Sequence, residues 1–132
     1  MEALDWPREY REFVHLFNSR DYFEAHEVLE DLWVVEVPPL KNYYKGLIQA
    51  AVALCHWERG NHSGARKLWL SARGYLRSYP PAFEGLRLSQ LMQSLEELFQ
   101  PLLEDPHTPH PPPCRTTHPL LELEEAPVRE AV

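Results

Sequence analysis

Between Tyr22 and Trp33 the chain reads Tyr-Phe-Glu-Ala-His-Glu-Val-Leu-Glu-Asp-Leu-Trp, and here the residues able to do chemistry concentrate. On a helix His26 and Glu30 lie one turn apart, Glu27 sits beside them, and Phe23 and Trp33 bracket them on nearly the same stripe. Polar groups between two large aromatics are costly to bury unless they close a hydrogen-bond network or hold something. Residues His26 to Glu30 have the form His-Glu-x-x-Glu. A zinc peptidase helix needs two histidines one turn apart with the intervening glutamate as base, and here the second histidine is replaced by Glu30. His56, arriving from a later helix, could supply the missing nitrogen. That makes His26, Glu30 and His56 candidate metal ligands and Glu27 a candidate general base. The Glu-x-x-His motif of di-iron bundles would need a glutamate where Phe23 stands.

These residues must be positioned by helices. Trp6, Tyr10, Phe13, Val14 and Phe17 follow a three-four spacing and predict a first helix starting at Pro7, with Asp5 near its cap. Asp21 followed by Glu24 resembles a capping box and opens a second helix, which must stop before Pro38-Pro39. The third, about 39–59, is apolar over more than one face, as expected for the central helix of a bundle. Lys45, Gln49 and His56 form a thin polar stripe on it, the natural partner for His26 and Glu30. Gly60-Asn61 ends it. A fourth helix is expected from His62 or Ser63 to Ser78, and a fifth from Phe83 or Gly85 to Leu103, frayed or kinked near Pro101. Nothing alternates with a period of two, so the expected class is all-α.

Sliding the chain by forty residues aligns Phe17, Tyr22, Ala25, Val28 and Leu29 with Trp57, His62, Ala65, Leu68 and Trp69. Each copy reads as the end of one helix, a polar turn, then a second helix, a pattern like the tetratricopeptide repeat. Two imperfect copies fall short of the three such arrays usually need. The expected architecture is about five helices in antiparallel hairpins forming a compact bundle over residues 1–103. A Pro-rich tail, 104–132, follows with seven of the thirteen prolines. Its Leu120, Leu121 and Leu123 are expected to pack on this domain or a neighbour. His107, His110, Cys114 and His118 are spaced like metal ligands but lack a supporting helix or hairpin.

At 132 residues the chain has the length of one domain, able to bury roughly two-thirds of its unfolded surface. A net charge of −7 argues against nucleic acid as a partner. No Gly-rich phosphate loop or Gly-x-Ser-x-Gly elbow occurs. No apolar run approaches the ~20 residues of a membrane span, and no basic-then-apolar leader is visible. Cys55 and Cys114 read as unpaired thiols of a reducing compartment, and a cytoplasmic location is expected.

The residues now in view include Phe17-Asn18, Tyr22 to Glu27, Leu29-Glu30 and Trp33. With Gly46-Leu47-Ile48-Gln49, His56, Gly60-Asn61 and Gly64-Ala65, they resemble the prokaryotic family called domain of unknown function 309, over about Trp6 to Ser78. The resemblance implies a small all-helical bundle without an assigned biochemical role, and its signature polar residues fall on His26, Glu27, Glu30, Gln49 and His56. Two positions depart from the pattern: Arg20 stands where a turn glycine is expected, and Lys45 where glutamine is. Arg20 in a left-handed turn would cost roughly 1 kcal/mol unless Asn18 took that conformation instead.

Two function classes stay open. The first is a non-enzymatic protein-interaction or scaffold module, in which a buried cluster of His26, Glu27, Glu30, Lys45, Gln49 and His56 fixes the second helix against the third. The second is a metal-binding protein or metal-dependent hydrolase using His26, Glu30 and His56. A protein partner or self-association is expected under the first, and no cofactor is assigned under either.

Overall fold

The structure, a computed structural model, describes residues 6–104 and 119–125. Five helices run in order: α1 (Arg8–Asn18), α2 (Tyr22–Val35), α3 (Leu40–Glu58), α4 (His62–Leu76) and α5 (Leu88–Glu104). A two-stranded antiparallel hairpin, β1 (Ala82–Phe83) and β2 (Leu86–Arg87), separates the last two. Among the described residues the expected all-α class holds, with that small hairpin as its exception.

Helix α3 packs against both α2 and α4. Its apolar residues are spread around the axis, so Tyr43, Leu47, Ala51 and Leu54 are buried together with Tyr44, Ala50, Ala53 and Trp57. The alanines and Gly46 let neighbouring backbones approach. A Cβ on Gly46 would lie 2.6 Å from Leu76 Cδ2 and 2.7 Å from Leu76 Cγ, so α4 sits where only glycine leaves room. Helix α5 is tied to α4 by Glu96, which accepts from Trp69 Nε1 at 2.9 Å and from Arg73 Nη1 at 2.6 Å.

The forty-residue repeat is visible in the backbone. After α1, Arg20 takes φ +64°, and the Asp21 amide reaches back to the Leu16 carbonyl at 2.9 Å. After α3, Gly60 takes φ +78°, and the Asn61 amide reaches back to the His56 carbonyl at 2.8 Å. Each is a left-handed residue closing a helix with a six-to-one hydrogen bond. In both, the next helix then begins with the amide of Ala25 or Ala65 bonded to the carbonyl of Asp21 or Asn61.

At the first turn it is Arg20, and not Asn18, that adopts the left-handed conformation. Its guanidinium pairs with Glu58 at the end of α3, Nε donating to Oε2 at 2.9 Å, which offsets some of the backbone strain. Asn18 instead ends α1 and turns its amide onto the backbone of Leu121. The first cap also differs from expectation: Pro7 is the residue before α1, and Asp5 lies outside the described residues.

The fifth helix starts later than its apolar spacing suggests. Glu84 (φ +48°) and Gly85 (φ +75°) form a turn with two consecutive positive φ angles, the geometry that closes a two-residue hairpin. Residues 82–87 are thereby withdrawn from the helix. The turn is anchored from below: Tyr10 Oη donates to the Glu84 carbonyl at 2.7 Å and, its single proton so used, accepts from Tyr43 Oη at 2.7 Å. Helix α5 continues through Pro101 to Glu104 without fraying at the proline.

Burial raises the pKa of Tyr10 and Tyr43 well above the usual tyrosine value, with neighbouring phenols and Glu84 adding to it for Tyr10. Tyr44 is pushed up to about 12, chiefly by burial. A phenol whose folded pKa exceeds its unfolded value of about 10 contributes stability that is complete below pH 10 and is lost as pH climbs toward the folded value. Unfolding free energy is therefore expected to fall above about pH 10, by up to about 1.4 kcal/mol per pH unit for each such tyrosine. Denaturant titrations at stepped alkaline pH would measure the slope, and a flat profile to pH 12 would contradict the burial of these hydroxyls.

At the α3–α4 crossing, Gly46→Val is expected to cost about 1–3 kcal/mol through overpacking against Leu76. Leu76→Ala should cost less in the Gly46→Val background than alone. Additive losses in this double-mutant cycle would show that the two sites do not touch.

Candidate functional site

Helix α2 buries Tyr22, Ala25 and Leu29. Each residue advances about 100° around a helix, so this stripe sets His26 to one side and turns Glu27 and Glu30 outward. His26 is half-buried, with 16% of its side chain exposed, whereas Glu30 is 50% exposed and Glu27 lies on the surface. His26 Nδ1 bonds the carbonyl of Phe23 within its own helix, and its Nε2 stands 4.0 Å from Glu30 Oε1, beyond hydrogen-bond reach. Phe23 meets the imidazole edge-on at 4.9 Å, and the Arg59 guanidinium lies 5.7 Å from the Phe23 ring.

The residues expected to answer from α3 are engaged elsewhere. His56 Nδ1 accepts from Asn61 Nδ2 at 3.1 Å, while Asn61 Oδ1 caps α4 by accepting the Gly64 amide at 3.0 Å. His56 thus belongs to the second hairpin turn. Lys45 has its ammonium 5.9 Å from the Trp33 ring and 5.2 Å from the Tyr75 ring. Gln49 is half-buried, and its Oε1 is sealed from solvent with no hydrogen-bond partner among the described residues. The expected buried cluster therefore requires correction: Glu27 and Glu30 are exposed, and His26 and His56 bond within their own hairpins. Among the described residues no group of three or more His, Cys, Asp or Glu side chains is placed to hold a metal ion. The tail candidates His107, His110, Cys114 and His118 lie outside the described residues. Cys55 is half-buried, and burial raises its thiol pKa, which favours the unreactive protonated form.

What the spacing did not single out is the surface where α2 ends. Val34, Val35 and Val37 are 64%, 75% and 65% exposed, three large apolar side chains within four positions. Beside them Lys41 Nζ lies 4.6 Å from the Trp33 ring and donates to the Trp33 carbonyl at 2.9 Å. Two of the chain's three lysines, Lys41 and Lys45, thus converge on one indole, and among the described residues neither pairs with a carboxylate. Among the described residues Trp33 Nε1, which is buried, meets no acceptor. The available signal was Lys41 and Lys45 one helical turn apart, following the apolar run Leu32 to Val35.

Residues 10–68 match the family model described as Domain of unknown function (DUF309). Over this span the chain is similar to that family. The match runs from Tyr10 in α1 into α4 and contains both repeated turns. The chain is 40% identical over 102 residues to an uncharacterized protein, YpuF, of Bacillus subtilis (strain 168), covering 72% of this chain and 59% of that protein. It is 32% identical over 90 residues to an uncharacterized protein of Aquifex aeolicus (strain VF5), covering 67% of this chain and 27% of that one. The chain thus spans less than two-thirds of the length of either relative. No helix among the described residues is long and apolar enough to cross a membrane.

Since Glu27 and Glu30 face solvent, Glu27→Ala and Glu30→Ala are each expected to change unfolding free energy by no more than about 0.5 kcal/mol. A loss of about 1–3 kcal/mol for either, measured by urea denaturation, would instead reveal an essential buried hydrogen bond.

Proposed function

We propose that this chain is a protein-interaction module that docks a partner on the surface where α2 ends. The observation that carries this reading is the exposure of Val34, Val35 and Val37 beside the Trp33–Lys41–Lys45 cradle. Burying a valine is favourable by about 1.5 kcal/mol or more, so a surface that exposes three together gains most by being covered. The two ammoniums rest on an indole, and their charge is free to meet a carboxylate. Cation–π contact at such a site is worth about 0.5–1 kcal/mol and holds the lysines in place without neutralising them. The partner chemistry that fits is an apolar segment flanked by acidic residues, on another protein or on a second copy. The two stacked hairpins supply a rigid platform, in keeping with the tetratricopeptide-like pattern.

A photo-crosslinking residue at position 35 of the full chain, in cells that make it, should capture one defined protein or a second copy. The same residue at exposed Glu97 on α5 should not. Lys45→Glu is expected to reduce capture at least tenfold by reversing the charge. Absence of a defined adduct from positions 35 and 37 would overturn the reading.

A further inference from the structure

Residues 119–125 lie back on the helices as an extended strap whose burial alternates: Pro119 and Leu121 are buried and Leu123 half-buried, whereas Leu120, Glu122 and Glu124 are exposed. That period of two is the mark of a strand lying against a surface. The main chain of the strap is read by residues from three places: the segment before α1, the end of α1 and the hairpin turn. Asn18 at the end of α1 donates from Nδ2 to the Leu121 carbonyl at 2.7 Å and accepts the Leu121 amide on Oδ1 at 2.7 Å. A neighbouring strand would satisfy the same two backbone groups. The Glu124 amide donates to the Gly85 carbonyl at 2.9 Å, and Trp6 Nε1 donates to the Glu124 carbonyl at 2.6 Å.

The seat is shaped for this approach. A Cβ on Gly85 would fall 2.7 Å from Trp6 Cζ2 and 2.9 Å from Leu123 Cδ1, so the glycine of the hairpin turn is also what admits the strap. A cleft of about 350 Å³ remains open beside Leu120 to Glu122, lined on its other side by Arg87 of β2 and Gln90, Leu91 and Ser94 of α5.

We infer that this seat is a binding site for an extended protein segment with proline or leucine at three alternate positions and an acidic residue after each of the last two. The chain's own strap is its resident occupant, and a partner protein presenting the same pattern takes its place. Main-chain hydrogen bonds with pockets for alternate side chains are how sheet edges capture peptides, and none of them depends on covalent connection to the occupant. Covalent connection through residues 105–118 only raises the local concentration of the resident strap. Arg87 gives the cleft a cation facing the acidic positions of such a segment. The inference is independent of the surface at the end of α2.

The test uses the full chain and a labelled peptide with the sequence of residues 119–125. Leu121→Asp, which disfavours the resident strap, should bind the peptide saturably by fluorescence anisotropy, and wild type should bind it at least tenfold more weakly. Adding Asn18→Ala to Leu121→Asp should weaken binding tenfold or more, whereas adding Val35→Glu should leave it unchanged. No saturable binding to a Leu121→Asp protein that still melts cooperatively, or binding indifferent to Asn18→Ala, would overturn the inference. Should Leu121→Asp not fold, a protease site placed between Pro111 and Pro112 gives the second route. Once cut, the strap fragment should exchange with the labelled peptide in the folded state. Retention of that fragment until global unfolding would overturn the inference equally.

Discussion

The close passage of α3 between α2 and α4 is the constraint from which the remaining features follow. It needs a helix apolar around most of its girth and small where its neighbours cross, and Gly46 with Ala50, Ala51 and Ala53 meets both requirements. Once α3 is fixed in this way, the two hairpins share it as a common wall. Each hairpin is closed by a left-handed residue and the same reach-back hydrogen bond. The second turn has glycine for this purpose. The first has Arg20, whose strained backbone is accompanied by an ion pair to Glu58 on α3.

The helices and their order were readable because apolar residues recur at three- and four-residue intervals over long stretches. The repeat was readable because Phe17 and Trp57, or Ala25 and Ala65, fill equivalent places. Residues 82–87 were not, since two-residue strands have no periodicity and their turn depends on positive φ at Glu84 as well as at Gly85. The polar residues of α2 were legible in type but not in placement. His26, Glu27 and Glu30 stand among apolar neighbours in sequence, yet about 100° of rotation per residue separates a buried Leu29 from an exposed Glu30. The Trp33–Lys41–Lys45 cradle joins two helices across the Pro38-Pro39 break, so no single-helix spacing could reveal it. For Asn18, the partner is more than a hundred positions away at Leu121.

These placements shift the functional reading from a sealed seam to the surfaces around it. Of the side chains first suspected of chemistry, Glu27 and Glu30 face water, His56 serves the second hairpin turn, and His26 bonds within its own helix. The features with unmet potential are instead an apolar exit from α2 flanked by two ammoniums that meet no carboxylate among the described residues, and a seat that already holds one extended segment. Both are the surfaces proposed for recognition, and both depend on α3: it carries the lysines directly, and through Tyr43 and Tyr10 it supports the turn that receives the strap. The matched relatives extend well beyond the length this chain covers, and both are uncharacterized.

Native-state hydrogen exchange measures this dependence most directly. If α3 is the common wall, amides from Tyr43 to Trp57 exchange only through global unfolding, and their opening free energy equals that from denaturant titration. The amides around Val34 to Val37 and along the strap open at much lower free energy. Exchange of α3 through a partial opening, while α1 or α5 stayed protected, would contradict the account.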